Sequence, residues 1–288
     1  MKLSTLFAQN KPTLSFEVFP PKTGAGFDNV KAATEEIAAL SPAYMSVTYG
    51  AGGGTSDYTV AIAENLLRKG VTPLAHLTCV SSDKAAVLAQ IRKLQDAGVE
   101  NVLALRGDIP KDAPPQDTWA YHYACELVRD IREAAPEMCI GGACYPEGHI
   151  ERTSYRDDIE NLKRKVDAGC DFLTTQMFFD NNIFYNFLYK IKAAGINVPV
   201  VAGIMPVANL RNVKHSCALS GTELPYRFKQ IVDKFGDDPD AMKQAGIAYA
   251  TEQIIDLIAN GVNFIHIYTM NKPDVAAAIQ RNLNCIIK

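Results

Sequence analysis

The sequence predicts an α/β protein in which eight parallel strands, each followed by a helix, close into one barrel. Short apolar runs alternate along the chain with longer segments of helical periodicity, which is the pattern of a parallel sheet with crossover helices. The 288 residues give eight such units, and barrels of this kind commonly take ~250 residues as one domain. We therefore expect residues 1–288 to form a single (β/α)8 TIM barrel.

The first four units consist of apolar runs separated by amphipathic segments. The predicted strands cover residues 14–19, 44–48, 72–77 and 101–105. The predicted helices cover residues 28–40, 56–68, 83–96 and, after a long loop, 119–133. Glycines with an expected positive φ follow five of the helices predicted along the chain. These glycines are Gly70, Gly98, Gly169, Gly195 and Gly261.

The second half of the chain repeats this scheme with one insertion. Strands are predicted at residues 138–143, 171–175, 198–202 and 263–268. Their helices are predicted at residues 154–167 and 181–194, from about residue 209 onwards, and at residues 274–285. Two further helices are predicted within residues 222–260, so we expect extra helices before the eighth strand.

A doubly wound open sheet is the alternative fold. That fold places a glycine-rich GxGxxG turn after its first strand, where the backbone holds the phosphates of a dinucleotide. Here the first predicted strand is followed by Pro20, Pro21 and Lys22, and the sequence contains no GxGxxG motif. The closed barrel is therefore the preferred prediction.

The charge and cysteine content argue against several classes of function. The 29 basic and 32 acidic side chains are mixed along the chain and leave a formal net charge of −3, so no groove for nucleic acid and no membrane-binding surface is expected. No apolar run reaches the ~20 residues of a membrane helix, and the N-terminus does not resemble a signal peptide. The seven cysteines form no CxxC pair, which predicts reduced thiols, a cytoplasmic location and no metal site.

The active site of a β/α barrel forms at the C-terminal ends of its strands, so the polar residues there are the candidates. Glu17 lies near the end of the first strand within an apolar run, where a carboxyl group is costly to bury. It is either a general acid whose pKa is raised by apolar surroundings or one half of a salt bridge to a neighbouring strand. The glycine-rich run that follows the second strand leaves backbone free to approach a ligand. His76, near the end of the third strand, is more typical of a hydrogen-bonded core residue than of a catalytic one.

The fourth, fifth and sixth strands end in groups that suit an anionic, heterocyclic ligand. Arg106 could hold a phosphate and Asp108 could accept from a ring N–H, unless the two pair with each other or with neighbours. After the fifth strand, Tyr145 can stack on a ring and His149 can bind an anion. Gln176, at the end of the sixth strand, can donate and accept at once through its amide.

The helix after the fifth strand carries four polar residues at positions i, i+3, i+6 and i+7, on one face of the helix. They are Asp158, Asn161, Arg164 and Lys165. Such a face either binds a ligand or is simply solvated. With no nucleophile–His–Asp set in the sequence, these candidates indicate a large heterocyclic cofactor and proton or hydride chemistry.

At these residues the sequence resembles the methylenetetrahydrofolate reductases. The matching stretches run in order from residue 15 to residue 271, over nearly the whole chain. They are SFEVFPPK, SVTYGAGG, HLTC, ALRGD, YPEGH, NLKRKVDAGCDFLTTQMFFD, GIMPV and IYTMN. The resemblance implies a β/α barrel that binds FAD and reduces 5,10-methylenetetrahydrofolate to 5-methyltetrahydrofolate. It also implies that NADH or NADPH supplies the electrons in a ping-pong mechanism.

The resemblance implies catalytic and substrate-binding roles for three polar residues. Glu17 is similar to the family's general acid, which protonates a folate nitrogen so that the bridging ring opens to an iminium ion. Asp108 matches an aspartate beside the flavin, whose charge favours that cation and disfavours an anionic reduced flavin. Gln176 matches a residue that contacts the pterin and, in turn, the nicotinamide, since both substrates use one face of the flavin.

The resemblance implies a larger set of contacts with FAD. The matching positions are Thr48, His76, Arg106, Gly107, Asp108, Ala124, Tyr145, His149, Asp158, Asn161, Arg164 and Lys165. In the predicted substrate site, Asn212 stands where a bacterial relative has a glutamine, and Ser216 replaces an aromatic residue. Lys272 stands where an arginine is frequent, which keeps the charge but loses the two-point geometry.

Two other functions remain open at this point. A folate-binding methyltransferase barrel would need a corrinoid or a zinc-activated thiol and no flavin. An FAD- or folate-binding accessory subunit would not require both Glu17 and Asp108, which are present. By analogy with short bacterial members, we expect NADH as the reductant and a homo-oligomer. Because the chain ends soon after the eighth unit, a C-terminal domain that binds S-adenosylmethionine is expected to be absent.

Overall fold

The eight strands are all parallel and form one closed barrel in chain order. This computed structural model describes residues 1–21, 24–49, 56–80, 82–109 and 115–287, apart from the side chains of Ser56 and Asn212. The predicted (β/α)8 barrel is confirmed. Most of the glycine-rich run after the second strand, at residues 50–55, lies outside the described residues.

The strand bounds agree with the predicted ones to within about two residues. The strands are β1 (Thr13–Val18), β2 (Met45–Val47), β3 (Pro73–Thr78), β4 (Asn101–Leu105), β5 (Cys139–Cys144), β6 (Phe172–Thr175), β7 (Val200–Ile204) and β8 (Phe264–Tyr268). Nearly all strand residues are buried, as expected for strands covered by side chains inside the barrel and by helices outside.

The helices surround this barrel. They are α1 (Leu3–Phe7), α2 (Phe27–Ala38), α3 (Ser56–Arg68), α4 (Lys84–Asp96), α5 (Ala124–Ala134), α6 (Tyr155–Asp167), α7 (Asn181–Ala193), α8 (Leu210–Ser220), α9 (Tyr226–Phe235), α10 (Pro239–Ala259) and α11 (Pro273–Leu283). The five glycines predicted to end helices all have positive φ. Within the described ranges, no helix combines the length and the apolar character needed to cross a membrane.

A short N-terminal helix that the sequence analysis did not predict covers the end of the barrel opposite the candidate site. α1 has five residues, too few for a helical period to show in the sequence. Leu3 and Phe7 are almost fully buried, and the Phe7 ring lies 5.0 Å from the Phe172 ring and 4.8 Å from the Phe264 ring. Apolar side chains therefore fill this end of the barrel interior.

The prediction of a helix over residues 119–133 is wrong at its start. A 3-10 turn occupies Gln116–Thr118, and α5 begins only at Ala124. The Glu126 carboxylate accepts from the backbone N–H groups of His122 at 2.6 Å and Tyr123 at 2.9 Å. Glu126 lies in the first turn of α5 and its carboxylate satisfies these two N–H groups. The helix therefore begins after His122 and Tyr123.

The two extra helices predicted before the eighth strand are confirmed as α9 and α10. Phe228 of α9 and Met242 of α10 pack in one apolar cluster with Met177, which follows β6. In α10, Gly246 lies so close to the loop after β7 that a Cβ atom would stand 1.8 Å from the Val207 carbonyl oxygen. The insertion therefore supports the C-terminal ends of β6 and β7, at the rim where the candidate residues lie.

Candidate active site

The residues predicted for the site gather in two neighbouring regions at the C-terminal ends of the strands. One region lies inside the barrel around Glu17, at the end of β1. The other lies between β4, β5 and α6, and includes Arg106 and Tyr145. Because all strands are parallel and the barrel is closed, both regions belong to one rim.

Glu17 is a buried carboxyl group without a lysine or arginine partner among the described residues. It is 8% exposed. Its Oε2 lies 3.5 Å from the Ser46 hydroxyl and 3.6 Å from Nε2 of His76. Burial raises the pKa of Glu17 to about 8, and hydrogen bonds from the hydroxyls of Ser46 and Thr48 lower it to a smaller extent. The alternative of a salt bridge to a neighbouring strand is therefore not observed, and Glu17 is protonated near neutral pH.

A second buried histidine, which the sequence analysis did not single out, lies beneath Glu17. The Ser15 hydroxyl lies 2.7 Å from Nδ1 of His266, and the Ser46 hydroxyl lies 2.9 Å from its Nε2. The ring stacks on Tyr44 at 5.5 Å. Burial lowers the pKa of His266 to about 3, with a smaller effect from His76. The signal of this interior network in the sequence was the presence of polar residues inside apolar strand runs, namely Ser15 and Glu17 in β1, Ser46 in β2 and His266 in β8.

His76 differs from the hydrogen-bonded core histidine that its sequence context predicts. It is 5% exposed, and neither ring nitrogen has a hydrogen-bond partner in the described part of the chain. Burial lowers its pKa to about 3, so the neutral ring does not hold Glu17 in its charged form. A buried polar ring without a partner is costly unless a ligand or water completes it.

Arg106 is held by a residue that the sequence analysis did not identify. Its two terminal nitrogens donate to the two carboxylate oxygens of Glu151 at 2.7 and 2.8 Å. This hydrogen bonding raises the pKa of Arg106 and lowers the pKa of Glu151. The two-point contact joins the loop after β4 to the loop after β5. The alternative that Arg106 pairs with a neighbour is thus observed, with Glu151 rather than Asp108 as that neighbour.

The residue after Arg106 must be a glycine. Gly107 has a φ of +91°, and a Cβ atom there would stand 2.9 Å from Cγ1 of Val80 and 3.0 Å from Cβ of Thr78. The turn therefore needs both the positive φ and the missing side chain. It leads directly to Asp108, which is exposed at the rim.

Tyr145 and His149, both predicted to bind the cofactor, lie together after β5. Their rings meet edge to face with centroids 4.7 Å apart. The backbone N–H of His149 donates to the Asp158 carboxylate of α6 at 3.3 Å, and the ring Nδ1 of His149 accepts from the backbone N–H of Glu151 at 3.1 Å. Burial lowers the pKa of His149 and raises the pKa of Asp158. An aromatic surface, a neutral imidazole and a carboxyl group are thereby fixed next to one another.

The structure divides the four predicted residues of α6 into an inner and an outer pair. Asp158 contacts His149, and Nζ of Lys165 donates to the Ala143 carbonyl oxygen at 2.6 Å. Burial lowers the pKa of Lys165. Asn161 and Arg164 are exposed, with the Arg164 guanidinium donating to the Asn161 amide oxygen at 3.1 Å. Only the inner pair therefore faces the barrel.

The two remaining predicted cofactor contacts are Thr48 and Ala124. Thr48 follows β2, and its hydroxyl donates to the Val18 carbonyl oxygen at 3.3 Å, next to Glu17. Ala124 is a buried residue at the first position of α5. Thr48 offers a hydroxyl group that can form hydrogen bonds, whereas Ala124 can contribute only to the shape of the site.

Gln176 lies directly after β6, beside a tightly packed tyrosine. Its Oε1 accepts from the Met177 N–H at 2.9 Å. The Tyr268 hydroxyl donates to the Thr175 carbonyl oxygen at 2.5 Å, and a Cβ atom at Gly203 would stand 2.5 Å from that hydroxyl. The tyrosine therefore fixes the backbone that leads into Gln176, although the sequence analysis did not select it.

The predicted contacts after β7 and β8 lie on the part of the rim next to Glu17, because β8 pairs with β1. Lys272 precedes the first turn of α11 and is half-buried. It lines a small cleft with Met205, Val207 and Thr269. Asn212 belongs to α8, and its side chain lies outside the described residues.

The arrangement combines a protonated carboxyl group inside the barrel with cations, aromatic rings and an unpartnered imidazole at its rim. Within the described ranges, no group of three or more His, Cys, Asp or Glu side chains is placed to hold a metal ion. Such a site can bind a large anionic, aromatic ligand and can donate a proton near neutral pH.

The sequence matches the family model described as methylenetetrahydrofolate reductase over residues 2–284. It is 33% identical to 5,10-methylenetetrahydrofolate reductase of Escherichia coli (strain K12), over 96% of this chain and 92% of that protein. It is 34% identical to methylenetetrahydrofolate reductase (NADH) 1 of Arabidopsis thaliana, over 99% of this chain and 50% of that protein. The chain thus spans about half the length of the plant relatives that it matches and most of the length of the enterobacterial ones.

Among solved structures, the fold is similar to that of a Clostridium thermocellum protein that binds two copies of 5-methyl-5,6,7,8-tetrahydrofolic acid. The TM-score is 0.69, with 14% identity and 99% of each chain covered. At this identity the likeness concerns the fold alone. The match over nearly the whole sequence gives the family: the chain belongs to the methylenetetrahydrofolate reductases.

Proposed function

We propose that this protein reduces 5,10-methylenetetrahydrofolate to 5-methyltetrahydrofolate with NADH, using bound FAD in a ping-pong mechanism. The observation that carries the proposal is Glu17, a buried carboxyl group whose pKa of about 8 keeps it protonated at neutral pH. An acid in that state is what the opening of the methylene bridge requires. Family membership supports the choice of substrate.

The residues at the rim fit FAD. His76 has two buried ring nitrogens without partners in the described structure, and a ligand could supply them. Tyr145 offers an aromatic face. Lys165 would supply positive charge for a diphosphate, and Arg164 would add charge from the exposed side of the same helix. When bound, FAD would accept electrons from NADH and pass them to the folate.

The chain's own residues prepare the folate for reduction. Glu17 would donate its proton to one of the two folate nitrogens that hold the bridging carbon and be left as a carboxylate. The bond between that nitrogen and the carbon then breaks, and the lone pair of the other nitrogen forms the electrophilic iminium ion. Asp108 supplies a negative charge at the rim that stabilises the folate cation. The Gln176 amide orients the pterin by donating and accepting hydrogen bonds. Lys272, which follows β8, and Asn212, on α8, are also proposed to contact the substrate.

Four further expectations belong to this proposal. NADH rather than NADPH is proposed as the reductant, in keeping with the names of the plant relatives. Residues 1–288 are proposed to act as one catalytic domain. A homo-oligomer is proposed by analogy with the family, and a cytoplasmic location is proposed because all seven cysteines are free.

An anaerobic visible spectrum of the purified protein tests the proposal. We expect a flavin band that bleaches when NADH is added and returns when methylenetetrahydrofolate follows. Both half-reactions and their order would then be established. A protein without a flavin band, even after FAD is added, would rule out the reductase. The folate-binding methyltransferase barrel would then be the function to test.

Lys165→Met is expected to weaken FAD binding about tenfold, which corresponds to ~1.4 kcal/mol. Methionine keeps much of the apolar stem of Lys165 but loses the charge that would face the FAD phosphates. Fluorescence titration of the apoprotein with FAD measures the affinity. Lys163→Met is the matched control, since Lys163 lies on the same helix but pairs with Asp167 at 2.9 Å on the exposed side. Equal affinities of the two variants would remove Lys165 from the cofactor site.

A further inference from the structure

The loop that follows β8 is joined to the loop that follows β1 by a pair of side-chain hydrogen bonds. The backbone pairing of the two strands ends at Glu17 and Tyr268. Beyond that point, the Asn271 side-chain amide accepts from the Phe19 N–H at 2.9 Å and donates to the Phe19 carbonyl oxygen at 3.0 Å. The amide therefore pairs with Phe19 as the backbone of a neighbouring strand would.

The backbone is bent to bring this amide into place. Met270 and Asn271 both have a φ of 54°, which is uncommon outside glycine and which asparagine tolerates better than most residues. The bend carries the chain away from β1 and into α11, which begins at Pro273. The Asn271 side chain therefore bonds to the chain after β1 at the point where the backbone of β8 no longer pairs with it.

A further bond between the same two segments reaches Glu17 itself. The Thr269 hydroxyl donates to the Glu17 carbonyl oxygen at 2.6 Å, and Thr269 is 1% exposed. On the other flank of β1, the Thr48 N–H donates to the Val18 carbonyl oxygen at 3.0 Å. The end of β1 is therefore held on both sides, at the residue that carries the buried carboxyl group and at the residues after it.

We propose that Asn271 is a positioning residue that closes the seam between the ends of β1 and β8 and so keeps water away from Glu17. The seam consists of Glu17, Phe19, Thr269 and Asn271. The inference rests on the proposed function, because a dry and protonated Glu17 matters only if this residue donates the proton. It adds a residue that acts through Glu17 and need not touch the substrate.

The titratable groups around Glu17 are uncharged at pH 7, so the access of water decides whether Glu17 is charged. Among the described residues they are His76 on β3, Tyr268 on β8, Tyr44 before β2 and, through the Ser46 hydroxyl, His266 on β8. Burial lowers the pKa of both histidines to about 3 and raises the pKa of both tyrosines, so all four are neutral at pH 7. Burial is also the main cause of the raised pKa of Glu17. Water entering through an opened seam would lower that pKa.

The test compares Asn271→Gly with Asn263→Ala. Glycine accepts the positive φ at position 271, so the variant removes the amide without straining the backbone. Asn263 has the same side chain at the opposite end of the same strand pair, where its Nδ2 donates to the Asn10 carbonyl oxygen at 2.9 Å. Either variant loosens β1 against β8, whereas only Asn271→Gly opens the seam beside Glu17.

The pKa of Glu17 is measured by NMR titration of protein labelled with carbon-13 at the glutamate carboxyl groups, and Glu17→Gln assigns the signal. We expect Asn271→Gly to lower this pKa by about one unit or more and Asn263→Ala to leave it unchanged. The rate of the folate half-reaction should then begin to fall at a lower pH in Asn271→Gly. The rate of flavin reduction by NADH should not change.

An unchanged Glu17 pKa in Asn271→Gly, or equal shifts in the two variants, would overturn the inference. If Asn271→Gly does not fold, Thr269→Val takes its place, since it removes the bond to the Glu17 carbonyl while keeping the shape of the side chain. It is expected to lower the pKa in the same direction, and no shift would overturn the inference. The titration needs no substrate. A protein that shows the shift without reducing folate would therefore contradict the proposed function alone.

Discussion

Glu17→Gln is expected to block folate reduction while NADH still reduces the flavin. The amide keeps the size of the carboxyl group and its capacity for hydrogen bonds, but it has no acidic proton to donate at neutral pH. General acid catalysis contributes about 10²–10⁴-fold to a rate. We therefore expect the folate half-reaction to slow by at least ~100-fold. Anaerobic stopped-flow absorbance measures the two half-reactions separately.

The same acid should appear in the pH profile of the wild-type protein. Glu17 is protonated below its pKa of about 8 and loses its proton as the pH rises through that value. The rate of the folate half-reaction is therefore expected to be highest below pH 8 and to decline above it, whereas a general base would give the opposite trend. In Glu17→Gln this decline should disappear.

Glu147→Gln provides the control for both measurements. Burial also raises the pKa of Glu147, but its Oε2 accepts from the backbone N–H of Glu223 at 3.0 Å, away from Glu17. A glutamine can keep that bond, so both half-reactions should be largely unchanged. Folate reduction close to the wild-type rate in Glu17→Gln, or equal losses in the two variants, would remove Glu17 from the acid role.

Gly246→Ala is expected to lower the free energy of unfolding by about 3 kcal/mol. A Cβ atom at position 246 would stand 1.8 Å from the carbonyl oxygen and 2.6 Å from the carbonyl carbon of Val207. Both atoms belong to backbone, which cannot turn aside as a flexible side chain can. α10 would therefore have to move away from the loop after β7. The midpoint of urea denaturation, followed by circular dichroism, measures the change in stability.

Whether Gly246→Ala lowers or raises the free energy of unfolding shows which of two effects is larger, the clash with Val207 or the higher helix propensity of alanine. Alanine is favoured over glycine by about 1 kcal/mol in the interior of a helix, so an open position would be stabilised by Gly246→Ala. Ala248→Gly, at an exposed position of α10, measures the propensity term alone and should cost about 1 kcal/mol. A stabilised Gly246→Ala protein would show that α10 does not press against Val207.

Most of the barrel could be predicted because the signals for its elements are local. The strand predicted at residues 101–105 has the same bounds as β4, and the helix predicted at 56–68 has the same bounds as α3. Two features were not predicted, the helix α1 and the true start of α5, because neither is visible in a hydrophobic pattern. α1 is shorter than the window in which helical periodicity can be seen. The start of α5 is set by the Glu126 carboxylate, and a hydrophobic pattern does not reveal such a cap.

The candidate site could be predicted as a set of residues but not as a set of contacts. Glu17, Arg106 and Lys165 were selected because they end strands or match family motifs. Glu151 and His266 were not selected, because their importance comes from the side chains that they meet. The Arg106 guanidinium meets Glu151 across two loops, and His266 meets Ser15, which lies 251 positions away in the chain.

By itself the sequence determined the fold class, the family and which kinds of side chain lie at the barrel rim. Periodicity and motifs depend only on residues that are close together in the chain. Only the tertiary structure decided that burial raises the pKa of Glu17, that the Asn271 amide pairs with Phe19 and that Gly246 must lack a side chain. Each of these depends on what surrounds an atom in space. Desolvation sets a pKa, and close packing sets the room for a side chain. Both arise from residues that the closed barrel brings together from distant parts of the chain.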